Sequence, residues 1–87
     1  MRLLGRKHLQ KIRGLNALTD RWLAAWASEV VNASWKASID VVKQYQAVTQ
    51  VDECTFLFKV GNFDGFVELN VAFPQGIALI TTIQKSL

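Results

Sequence analysis

Histidine and cysteine are almost missing from this 87-residue chain, which contains one of each. The lone cysteine, Cys54, excludes an internal disulfide framework and any cysteine-rich zinc site. The lone histidine, His8, excludes a histidine-based metal cluster and leaves no Ser-His-Asp arrangement in view. No uncharged apolar stretch approaches the ~20 residues of a membrane-spanning helix. The basic start is not followed by the apolar core of a signal peptide, and its likeness to a mitochondrial transit peptide ends at composition. No glycine-rich phosphate loop, internal repeat, low-complexity tract or interdomain linker interrupts the chain. The expectation is a single cytoplasmic, soluble domain over residues 1–87, with neither metal nor small-molecule cofactor. Chains of this size bury roughly 60–65% of their unfolded surface, so modest stability is expected.

Acids are missing from the first thirteen residues, which carry Arg2, Arg6, Lys7, Lys11 and Arg13. The net charge of +3 is therefore unevenly placed, because the remainder is close to neutral. Positive charge confined to one terminal element suits an anionic partner, the plain alternative being a solvated face. Residues 6–13 read as a short helix with Leu9 and Ile12 inward and the basic side chains outward. Lys7 and Lys11, like charges at i,i+4, cost a few tenths of a kcal/mol unless something negative lies over them. Gly14 is a natural stop, and His8 reads as a surface residue.

What the chain does have is apolar bulk: 51% hydrophobic residues and three tryptophans. Residues 20–35, DRWLAAWASEVVNASW, form the organising helix. Trp22, Trp26, Val30 and Ala33 recur at helical spacing, with Leu23, Ala27, Val31 and Ser34 as a second row. So apolar a helix is expected to be covered on more than one side, by a sheet and by a second helix or a partner. Thr19 offers an N-cap hydroxyl. Trp35 should seal the core, and Ser38 should cap a short helix over 39–45 with Val42 and Tyr45 inward. The period then changes to two. Phe56, Phe58 and Val60 form one row; Val67, Leu69, Val71 and Phe73 a second; Ile77, Leu79, Thr81 and Ile83 a third. Cys54 reads as a small apolar residue at a strand start, and Asp52 and Glu53 as a solvated loop. Glycines at 61, 65 and 76 supply turns that close antiparallel hairpins. Residues 1–4 can add an edge strand. The expected fold is α+β: an N-terminal edge strand and two to three helices packed on one face of a small antiparallel β-meander.

Several of these residues together resemble a known family. Arg6-Lys7-x-Leu9, then Trp26-x-x-x-Val30-x-x-Ala33-x-Trp35-Lys36, then Asp40 and Ala47 before a Phe58-x-Val60-Gly61-Asn62 hairpin, is similar to the HigB-type toxins of the RelE/ParE-like superfamily. The resemblance covers nearly the whole chain. It implies an endoribonuclease that cleaves messenger RNA, usually on the ribosome, and is silenced by a helix-turn-helix antitoxin. Such cleavage drives a ribose 2′-hydroxyl onto the adjacent phosphate and needs a base, donors for the developing charge and an acid. RelE-like toxins commonly draw these groups from Lys, Arg, His and Tyr. Of the family's active region the resemblance matches Asn62; Lys59 and Lys85, cations able to stabilise phosphate charge, join it as candidate catalytic residues, and Arg6, Lys7, Lys11, Arg13 and Lys36 are the candidate RNA-binding ones. The chain departs from the family at the chemistry. Lys59 stands where the family has an Asn, Gly65 and Phe66 stand around its Arg, and its terminal Thr-His-x-x-Tyr-Asp has no counterpart after Lys85. Those departures leave a non-cleaving relative that binds RNA, the ribosome or a partner protein as the alternative. An interaction module using the apolar strip of the long helix is a third.

Overall fold

The computed structural model describes residues 1–85. In chain order it holds strand β1 (Arg2–Leu4), a 3₁₀ helix (Arg6–Lys11), helix α1 (Ala17–Asn32), helix α2 (Ser38–Gln44) and strands β2 (Thr49–Gln50), β3 (Thr55–Lys59), β4 (Gly65–Ala72) and β5 (Ile77–Lys85). The five strands form one sheet in the order β1-β5-β4-β3-β2. β3, β4 and β5 are the expected antiparallel meander, while β1 joins β5 in parallel and makes the sheet mixed. The architecture is α+β, with three helices and an open five-stranded sheet. No helix among the described residues is long and apolar enough to cross a membrane.

One side of the sheet carries the core. Leu9 and Ile12 from the 3₁₀ segment, Leu23, Trp26 and Val30 from α1, and Val41 from α2 form a single cluster with Phe56, Phe58, Val67, Leu69, Val71 and Ile80. Gly5, at φ 82, lets the chain turn off β1 against the backbone of Ile80, where any Cβ would collide with the carbonyl.

Helix α1 begins three residues earlier than its sequence pattern indicates. Its cap is Asn16, whose side-chain oxygen accepts from the Thr19 N–H at 2.8 Å. Thr19 is not the cap. Its fully buried hydroxyl donates to the carbonyls of Gly61 at 3.2 Å and Asn62 at 3.0 Å, tying the helix to the β3–β4 turn. The buried stripe is Thr19, Leu23, Trp26, Ala27 and Val30, with Trp22 half-buried at its edge. The single chain covers one flank of the helix and leaves Leu18, Ala24, Ala25 and Val31 exposed. Alanine contributes too little apolar area to force burial, so the helix needs only one covered flank.

Other expectations need correction. Helix α2 is capped by the Asp40 carboxylate, which accepts from the N–H groups of Lys36 at 2.8 Å and Ala37 at 3.2 Å, rather than by Ser38. Val41 is its fully buried residue, and Val42 and Tyr45 are partly buried against the core as expected. Trp35 does seal the core, its indole N–H donating to Gln44 at 2.9 Å. Cys54 is exposed in the loop before β3, where its N–H bonds the Asp52 carboxylate at 2.9 Å. The third alternating row breaks at Thr81, because Leu69 pairs with Ile80 while Glu68 pairs with Thr82. That extra residue is a β-bulge, and it reverses which side chains face the core. Ala78 and Ile80 are buried before it, Leu79 is 41% exposed, and Ile83 returns to the core side opposite Val67.

Trp26→Ala should cost about 3–5 kcal/mol, because its 2%-exposed ring is the largest fully buried side chain in the core. Thr19→Val should cost about 1–3 kcal/mol by stranding the turn carbonyls. Urea unfolding of each variant checks both, and an unchanged midpoint for Trp26→Ala would place that ring outside the core.

Candidate functional site

The β3–β4 turn gathers part of the expected site. Asn62 adopts φ 59, the left-handed region that asparagine tolerates better than most residues. Its carbonyl accepts from Thr19 and from Asn16 Nδ2 at 3.3 Å, and its own Nδ2 donates to Asn16 Oδ1 at 3.3 Å. Asn62 therefore pins the turn to the start of α1. Lys59 ends β3 beside it, and its ammonium donates to the carbonyls of Val60, at 3.2 Å, and Phe63. Lys85 is not brought to the same place. Lys59 pairs with Phe66 and Phe66 with Gln84, which puts Lys59 on the uncovered sheet face. Lys85 pairs with Gly65, in step with Val67 and Ile83 on the helix-covered face. β4 separates the two lysines, about 10 Å of sheet.

The basic leading segment approaches this end of the sheet. β1 runs beside β5 until Leu4 pairs with Leu79. The Gly14 N–H then bonds the Asp20 carboxylate at 2.9 Å, and Asn16 reaches Asn62. Between these points Arg6, Lys7, Lys11 and Arg13 are all exposed, while Leu9 and Ile12 anchor the segment at 1% exposure each. The short helix is 3₁₀ over six residues, Arg6–Lys11, a longer run than this geometry usually sustains. Lys36 lies beyond the opposite end of α1, about 24 Å along the helix axis, and is not part of this cluster.

A second feature was absorbed into the core at the level of sequence. A cleft of about 310 Å³ opens between α1, the chain after α2 and β3, lined by Trp22, Trp26, Glu29, Tyr45 and Phe58, with Lys59 at its rim. Trp22 stacks on Trp26 (centroids 6.0 Å, 8° between planes), and Phe58 stands edgewise to both Trp26 (5.3 Å) and Tyr45 (5.0 Å, 90°). The Tyr45 hydroxyl donates to Glu29 at 2.5 Å. Burial, and then the Glu29 carboxylate, push the tyrosine pKa well above its ordinary 10.0, so the hydroxyl stays neutral. The indole nitrogen of Trp26 is buried without a hydrogen-bond partner. The spacing of Trp22, Trp26 and Glu29 along one helix was the available signal. Tyr45 and Phe58 join them only through the tertiary fold.

Among the described residues no three His, Cys, Asp or Glu side chains are grouped to hold a metal ion. No protein-family model matches this sequence, and no curated protein matches it.

The loop carrying Lys36 has its own electrostatic lock. Hydrogen bonds from the Lys36 and then the Ala37 backbone hold the Asp40 carboxyl below its ordinary 3.8. A depressed carboxyl stabilises the fold above its unfolded pKa, and that contribution is lost as pH falls through the folded value. Carboxyl-detected NMR should give an Asp40 midpoint below 3.8. A midpoint at or above it would mean that the cap is open in solution.

Proposed function

We propose that this chain is a HigB-like toxin domain of the RelE/ParE-like type, acting on messenger RNA at the ribosome and held in check by a helix-turn-helix antitoxin. The observation that carries the reading is the basic leading segment. Four exposed cations, Arg6, Lys7, Lys11 and Arg13, ride on an apolar anchor that ends beside the Asn62 turn. No acid lies among these cations in the first thirteen residues, so they raise the local positive potential that a phosphate backbone neutralises. The whole-chain sequence resemblance and the α+β architecture with helices on one sheet face support the same reading.

One observation favours a second reading, a non-cleaving relative that binds RNA. Transfer of a 2′-hydroxyl onto phosphate needs a base, an acid and charge stabilisation within reach of one phosphate. Lys59 spends two of its N–H groups on turn carbonyls, and Lys85 occupies the other face of the sheet. Binding is retained in this reading and turnover is not.

Two measurements separate the readings. Expression without a partner should arrest growth and fragment transcripts if the domain cleaves; growing cells with intact transcripts leave only the binding reading. Titration of single-stranded RNA should show log K falling with log salt at a slope of about −2.8 if all four cations contact phosphate. The variant Arg6→Gln/Lys7→Gln/Lys11→Gln/Arg13→Gln should flatten that slope while its circular dichroism stays unchanged. A salt-independent affinity in the unsubstituted protein removes RNA binding through this segment altogether.

A further inference from the structure

We infer that the aromatic cleft beside Glu29 is a binding site for a small alkylated ammonium ion. The inference does not depend on the RNA reading, because the cleft is built from α1, the chain after α2 and β3 rather than from the basic segment.

Of its four aromatic side chains, Trp22 and Tyr45 are half-buried and offer ring surface to the cleft, while Trp26 and Phe58, 2% and 3% exposed, pack beneath them as its floor. Ring faces carry negative quadrupole, and the accessible surfaces of Trp22 and Tyr45 attract an alkylated ammonium without having to supply oxygen ligands. Glu29 adds a full negative charge. Its hydrogen-bond partner is the neutral Tyr45 hydroxyl, so the carboxylate enters the cleft's surface without charge compensation from that bond. The nearest lining cation, Lys59, directs its ammonium to the carbonyls of Val60 and Phe63 instead. A ligand that brings positive charge completes the arrangement.

The same features reject other ligand classes. An anion meets Glu29, and a neutral apolar molecule leaves that carboxylate uncompensated beside it. A small inorganic cation would have to exchange tightly held water for ring faces, whereas a quaternary ammonium carries little hydration and buries its methyl groups at a gain. The volume, about 310 Å³, lies at the small end of ligand sites and suits a choline-sized ion.

Choline is the probe, and the three tryptophan indole N–H signals in a proton–nitrogen correlation spectrum are the readout. Trp22 and Trp26 line the cleft, while Trp35 lies outside it, edgewise to Tyr45 and bonded to Gln44. Choline should shift the first two signals in a saturable way and move the third least. The uncharged isostere 3,3-dimethylbutan-1-ol should bind about twofold to fivefold more weakly, as should choline to Glu29→Gln, the difference expected when a solvent-exposed charge pairing is lost. Glu29 is exposed, so that variant keeps the fold, and unchanged circular dichroism verifies it. N-acetyl-trimethyllysine amide separates two sources of the same chemistry. Tighter binding than choline assigns the site to a methylated side chain of a protein, and weaker binding to a free small cation. Absence of saturation at millimolar choline, equal binding of the neutral alcohol, or an unaffected Glu29→Gln variant each overturns the inference.

Discussion

One joint sets how the long helix meets the sheet: the seating of the β3–β4 turn on the first turn of α1. Thr19 supplies the buried hydroxyl, Asn16 and Asn62 exchange side-chain and main-chain bonds, and Gly61 lies against the Trp22 ring so closely that a Cβ would stand 2.6 Å from it. A turn alone offers two unpaired carbonyls, and a helix start alone offers unpaired N–H groups. Each satisfies needs of the other or of its own cap through the same few atoms. The joint orients α1 across the sheet, and that orientation lays Trp26 over Phe58. It also brings the end of the basic segment beside Asn62.

Much of this architecture was legible in the sequence, for physical reasons that differ between elements. The meander and its two turns follow from a period of two interrupted by glycines, and the anchoring of the basic segment by Leu9 and Ile12 follows from spacing alone. The N-terminal edge strand was equally readable, though not its parallel pairing with β5, since direction depends on where the intervening helices return the chain. The Thr81 bulge was hidden because a single unpaired residue leaves the alternation intact on either side of it. The start of α1 was misread for a related reason. Both Asn16 and Thr19 are good caps, and only the tertiary demand of the turn carbonyls takes the threonine hydroxyl away from its own helix. Of the candidate site, Asn62 and Lys59 could be placed at the turn from sequence, while the separation of Lys85 required knowing the register beyond the bulge.

Charge is segregated along the molecule in a way that composition conceals. The cations at Arg6, Lys7, Lys11 and Arg13 stand on one flank, where apolar anchors fix their backbone but leave their side chains in water. Glu29 and Tyr45 form a compact polar pair against an aromatic wall at a different place on the same core. In water the first arrangement acts at a distance of about a Debye length and responds strongly to salt. The second acts at contact, through one carboxylate at the edge of an aromatic wall. A nucleic-acid backbone suits the first and a small cation the second.

β3 joins these two environments through its alternation. Phe58 faces the helices and forms a wall of the cleft, while Lys59, the next residue, belongs to the opposite face and closes the turn with its ammonium. Consecutive strand residues necessarily serve opposite faces, so a slip of one position would exchange an aromatic wall for a charge. The joint at Thr19 prevents that slip, because it holds the carbonyls of Gly61 and Asn62 at fixed positions just beyond the strand. Lys59, exposed and at the rim of the cleft, has two of its three N–H groups committed to the carbonyls of its own turn. Lys59 thus has a structural role of its own: its ammonium ties together the turn that is seated on α1.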